Sequence, residues 1–143
     1  MTTRRHTWRL LLIGVLVVAA GGCASSTESM TSAAPIDLPS LAGTWQGTAS
    51  GPQGLSQPIT MKIGADGTYS VDGGVYTAQG TAQVKDGKLA LTTTSTTGGQ
   101  TAGRVATAVL SEKRQPSQVI QVLTGSGASS SGPYSFEVSR PKQ

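Results

Sequence analysis

Two of the chain's three Asp-Gly dipeptides, Asp66-Gly67 and Asp86-Gly87, each sit between runs in which apolar and polar residues alternate. This arrangement restricts the chain more than any other feature of its 143 residues. Asp-Gly encodes a tight hairpin turn, because such turns need positive φ at their central positions and Gly adopts it without steric cost. Before the first turn, Ile59, Met61 and Ile63 alternate with Thr60 and Lys62; after it, Tyr69 and Val71 continue the apolar set. Around the second, Tyr76, Ala78, Gly80, Ala82 and Val84 share one face, and Leu89 and Leu91 face them from the return strand. Period two with turn residues at the ends specifies half-buried antiparallel strands.

The same pattern runs through the rest of the chain. Thr44–Ala49 reads as a first strand, turned by Gly51-Pro52-Gln53-Gly54, and Asp72-Gly73-Gly74 turns the chain again. Thr92–Thr97 has β propensity but no apolar face, and reads as a strand end fading into Gly98-Gly99. Arg104–Ser111 and Gln118–Thr124 are further strands, joined across Gln115-Pro116-Ser117. Gly125–Gly132 reads as a Gly/Ser loop, and Tyr134, Phe136 and Val138 alternate along a last strand ending at Arg140. The expectation is an all-β fold of eight strands without a helix. A meander of this kind has two exposed edges, and pairing its first strand with its last removes both. A small antiparallel up-and-down eight-stranded barrel is therefore expected, with an open β-sandwich as the alternative.

The N-terminus follows a different logic. Arg4, Arg5 and Arg9 precede the apolar run Leu10–Ala20, and small residues lead to the single cysteine, Cys23. Charge, short apolar core and small-residue exit describe an export signal. The run is shorter than the roughly 17–25 residues of a permanent membrane-spanning helix. Its exit, Ala19-Ala20-Gly21-Gly22-Cys23, resembles the lipobox of bacterial lipoproteins, departing from it at Ala20, where the family usually has Leu. The resemblance implies cleavage before Cys23, a thioether-linked diacylglycerol on its sulfur and an acylated amino group. The membrane is then a partner through the lipid on Cys23. Ala24, not Asp, follows, which resembles the class forwarded to the outer membrane of a two-membrane bacterium. An ordinary secretory signal, leaving Cys23 a spare thiol, is the alternative. The organisation expected is a signal peptide over 1–22, a flexible Ser/Thr/Pro tether over 23–40 and the β domain over 41–143.

Composition narrows the chemistry. The net charge of +4 belongs mostly to the signal: with Arg4, Arg5 and Arg9 removed, eight basic residues face seven acidic ones. No basic face remains for nucleic acid. His6, the only histidine, leaves with the signal, taking with it the commonest general base and metal ligand. Asp66, Asp72 and Asp86 fall in turns, Asp37 in the tether and Glu112 near a loop, while Glu137 alternates with core residues and points to solvent. No nucleophile has a base beside it, and neither Gly73-Gly74 nor Gly98-Gly99 precedes a helix that would bind phosphate. No cofactor or metal, and no enzyme, is expected.

Gly43-Thr44-Trp45 on the first strand resembles the Gly-x-Trp signature of lipocalins and related calycins. That resemblance implies an arginine near the barrel's end packed over the tryptophan to close the floor, and Arg140 is the residue in that position. The chain is shorter than most lipocalins and lacks their C-terminal helix and disulfides. Small residues at Ala78, Gly80 and Ala82, and low bulk on the Arg104 strand, leave room for a void near Tyr69, Tyr76 and Tyr134. Arg104 then faces inward, toward an anionic head group. Alternatively, the small residues only relieve crowding at barrel corners and Arg104 points outward. Gln118–Thr124 is apolar on both faces, Val119 and Leu123 on one, Ile120 and Val122 on the other, which suits an interaction module. The functions expected are binding of a small apolar or amphiphilic ligand, or contact with another envelope protein.

Overall fold

A computed structural model describes residues 30–32, 36–98 and 102–143. The signal peptide and Cys23 lie outside the described residues. The elements in order are β1 (Met30–Ser32), α1 (Leu38–Leu41), β2 (Gly43–Ser50), β3 (Ser56–Ile63), β4 (Thr68–Asp72), β5 (Thr77–Lys85), β6 (Lys88–Thr96), β7 (Val105–Arg114), β8 (Val119–Ser129) and β9 (Gly132–Pro141).

Strands β2 to β9 pair antiparallel in sequence order, and β2 closes the ring on β9 from Gln46↔Ser139 to Ser50↔Ser135. The fold is a closed eight-stranded up-and-down barrel, so the open sandwich is excluded. Along β2 and β3, Trp45, Ala49, Ile59, Met61 and Ile63 are buried, while their neighbours Gln46, Thr48, Pro58 and Lys62 are exposed. This is the pleat expected of strands with one face on a core.

Three segments depart from the sequence reading. The first is the stretch read as a tether. Within it, Met30–Ser32 pair antiparallel with Ser111–Lys113 of β7, and Leu38–Leu41 form a one-turn helix. β6 pairs with β7 only from Val105 to Ala108, so β1 supplies a partner to the part of β7 that β6 does not reach. Asp37 caps the helix by accepting from Ser40 N–H at 3.1 Å, an N-cap of the usual kind. Because the hydrogen bonds to Ser40 favour the ionised carboxylate, the Asp37 pKa is held below its ordinary value.

The second is the expected Gly/Ser loop. Strand β8 runs on to Ser129 and β9 starts at Gly132, leaving a two-residue connection. Gly125 and Gly127 are strand residues because aromatic rings lie across them. Gly125 pairs with Phe136 and Gly127 with Tyr134, and a Cβ at Gly127 would stand 2.7 Å from the Tyr134 Oη. Cross-strand rings over glycines are a known way to stabilise such positions. The third is the threonine run, which is strand to Thr96, with a bulge where Gln79 pairs Ser95 and Gly80 pairs Thr93. The extra residue, Thr94, reverses the alternation, so that Thr93 and Thr96 both reach the interior.

Candidate functional site

The barrel has two unlike ends. At one, α1 lies beneath the strands and its Leu41 is fully buried. Trp45, also fully buried, donates its Nε1–H to the Leu41 carbonyl at 3.0 Å. Above the indole, the Arg140 guanidinium sits 4.2 Å from the ring centroid. Arg140 also donates Nε–H to Gln121 Oε1 at 3.0 Å, Nη1–H to Leu41 and Ala42 carbonyls and Nη2–H to the Ser40 carbonyl.

The logic of this floor is electrostatic. A one-turn helix cannot satisfy its last carbonyls internally, and the Ser40, Leu41 and Ala42 oxygens face the buried Arg140 cation. Burial pushes the Arg140 pKa down from its ordinary value, but arginine stays protonated in proteins. Carbonyl dipoles, the Gln121 amide and the indole face replace the carboxylate that a buried charge usually finds. Gly43 leaves the room, since a Cβ there would stand 2.8 Å from Arg140 Nη1. Trp45 and Arg140, the two residues assigned to barrel closure, are thus in direct contact. With Met61, Leu89, Leu123 and Val138 almost wholly buried above them, this half of the barrel is solid.

The other half is hollow. A cavity of about 270 Å³ opens between the β2–β3, β4–β5 and β8–β9 connections. Its deep wall is apolar, built from Met61, Val71, Leu91 and Phe136, and its outer rim includes the exposed Pro52, Leu55 and Ser131. Tyr69, Tyr76, Tyr134 and Arg104, the four residues singled out in the sequence, all line it. Arg104 precedes β7; its carbonyl accepts from Thr93 N–H at 2.9 Å and its Nη1 donates to the Ser129 carbonyl at 2.7 Å. No acidic side chain and no second cation lines the cavity among the described residues.

The polar complement was only partly visible beforehand. Tyr69 shares a 2.7 Å hydrogen bond with Thr93 Oγ1, and Gln57, Thr96 and Ser129 also face the space. Thr93 continues the inward face of Leu89 and Leu91 by period two, whereas Thr96 is inward because of the bulge, which no residue of the threonine run announces. Among the described residues, no three His, Cys, Asp or Glu side chains come together as metal ligands. Glu112, read as near a loop, is a β7 residue paired with Lys142 at 2.7 Å.

Burial pushes all three phenols above their ordinary value. For Tyr134, the neighbouring Tyr69 and Tyr76 add to the rise and the Arg104 charge opposes it. The phenols are therefore neutral donors at any physiological pH. The folded values exceed the unfolded ones, so the unfolded chain loses its phenolic protons first. The stability tied to these groups is complete below about pH 10 and is lost as pH rises through the folded values. Urea unfolding from about pH 9 to about pH 12 is expected to show the midpoint falling as phenolate absorbance appears. Phenylalanine at positions 69, 76 and 134 together should blunt that fall.

The described residues define a small closed up-and-down barrel, plugged at one end and open over a tyrosine-lined cavity at the other. Compared with known proteins, the chain matches no family model, no curated protein and no solved structure.

Proposed function

We propose that this protein is an exported envelope lipoprotein, anchored through Cys23, whose lipocalin-like barrel binds a small apolar or amphiphilic ligand in its open end. The observation that carries the reading is the 270 Å³ cavity with apolar depth and a polar, singly charged upper wall. Binding sites for small molecules are mostly apolar with a few convergent polar groups, and this volume lies near the low end of their range. The resemblance of Gly43-Thr44-Trp45 and Arg140 to the calycin floor supports the same class. The protein acts as a binder or carrier, not an enzyme.

Anchoring gives the barrel a direction. Met30 pairs with Lys113, close to the floor end of β7, and β1 runs from the floor toward the mouth. Six residues lie between Cys23 and Met30, and seven residue steps reach at most about 25 Å. The floor then faces the bilayer and the mouth faces away from it, which suits a ligand taken from the aqueous side. The anchoring membrane is the outer membrane of a two-membrane bacterium.

The test is native mass spectrometry of the full-length protein released gently from its own membranes. Ligand binding predicts an added mass in the range of a small amphiphile, absent from an Ala78→Phe variant that fills the cavity. If the protein arrives empty and instead cross-links to an envelope protein through Gln118–Thr124, the barrel is an interaction module and the binding reading is wrong.

A further inference from the structure

The ligand's chemical class is written in the cavity wall. Among the described residues, Arg104 is the sole charged group lining the space, and no carboxylate there neutralises it. Among the described residues, one of its five N–H groups goes to a carbonyl, that of Ser129, which fixes the side chain and leaves most of the planar fork for a ligand. It stands at the mouth, where β7 begins and β8 ends. Tyr134 lines the same cavity, and burial keeps its hydroxyl a neutral donor. A guanidinium on a cavity wall binds an oxyanion by charge-assisted hydrogen bonds, and a phenol on the same wall adds a neutral donor.

Volume sets the remainder. A cavity of 150 Å³ accommodates one benzene ring, so 270 Å³ takes about ten non-hydrogen atoms on the same scale. The deep wall of Met61, Val71, Leu91 and Phe136 offers such a tail no polar partner. A diacyl lipid is far too large. A long single chain, inserted tail first, would carry its head group beyond the reach of Arg104.

We propose that the cavity takes single-tailed monoanions of about eight to ten carbons, tail toward Met61 and oxyanion on Arg104 at the mouth. This rests on the binding reading above and adds charge, length and orientation to it.

Photo-crosslinking of the full-length protein in bilayer discs tests it, using decanoate, decanol and decylamine, each with a diazirine at the tail end. Decanoate should label most strongly, on the deep-wall residues, and unlabelled hexadecanoate should compete more weakly than unlabelled decanoate. Arg104→Gln should weaken decanoate labelling by roughly ten- to hundredfold, the range for a lost charged hydrogen bond, while decanol labelling persists. Arg104→Lys should keep the preference for the anion over the amine. Equal labelling by decanoate and decanol, unchanged in Arg104→Gln, overturns the anion assignment and leaves the binding cavity standing. Labels on Pro52 or Leu55 overturn the orientation. No saturable labelling by any of the three overturns this inference together with the binding reading beneath it.

Discussion

Arg140→Ala is expected to destabilise the barrel by about 3–4 kcal/mol, because it removes one partner from several buried groups at once. For a domain of this size, that lowers the thermal midpoint by roughly 15–25 °C. The loss has separable parts. Gln121, 8% exposed, keeps a buried amide oxygen with no donor. The carbonyls of Ser40 and Ala42 lose the group that holds α1 under the strands, and Trp45 loses the cation above its ring. Arg140→Met retains the aliphatic stem and removes only the polar and cationic contributions, so it should recover part of the loss. Arg140→Lys keeps the charge but, as a point donor, cannot reach Gln121, the helix carbonyls and the indole face together. It should behave more like methionine than like arginine. Urea unfolding of the four proteins, compared at equal slope, gives the ordering.

A single methyl group at position 47 should cost a comparable amount. Gly47 pairs with Ile59 on one side and Val138 on the other, where β2 closes the ring on β9. A Cβ there would overlap the Glu137 carbonyl oxygen and stand 2.7 Å from the Val138 Cα. Both atoms are backbone, so relief requires the two strands to separate along the seam that closes the barrel. Gly47→Ala is therefore expected to destabilise by about 3 kcal/mol or more, at the upper end of the range for strain and overpacking. Gly51→Ala is the control: a Cβ there meets nothing within 4 Å. It should shift stability by no more than about 0.5–1 kcal/mol, with reduced unfolded-state entropy favouring a gain. Near-equal effects at 47 and 51 would mean that the seam is looser than its geometry indicates.

The barrel was legible because its strands carry their own alternation and its turns their own chemistry. Asp66-Gly67 and Asp86-Gly87 mark hairpins without any knowledge of the partner strands, and Trp45 and Val138 need only period two to point inward. The misread segments depend on neighbours instead. Gly125 and Gly127 look like loop until Phe136 and Tyr134 are known to lie across them. The Thr94 bulge is set by the pairing of β5 with β6, and nothing distinguishes Thr94 from the threonines beside it. Asp37 and Pro39 are acceptable helix-start residues, but one turn offers no periodicity to read, and its stability comes from Arg140, a hundred residues away. The same division holds at the cavity. Tyr69, Tyr76 and Tyr134 were visible as large residues near small ones, and Arg104 as a charge at a strand start. Gln57 and Thr93 share the period-two face of Ile59 and Leu91, whereas Thr96 depends on the bulge and Ser129 on the extension of β8 through the expected loop.

With the signal peptide removed, the protein anchored through Cys23 keeps two methionines, Met30 and Met61, so its methyl spectrum is simple. Met61 stands in the cavity wall, at 2% exposure. The most direct test is a titration with decanol followed by carbon-13 methionine-methyl NMR, on the full-length protein in discs of deuterated lipid. A receptive hollow end predicts that the Met61 resonance moves saturably while that of Met30 stays in place. A Met61 resonance that never moves, or both resonances drifting together without saturation, would contradict it.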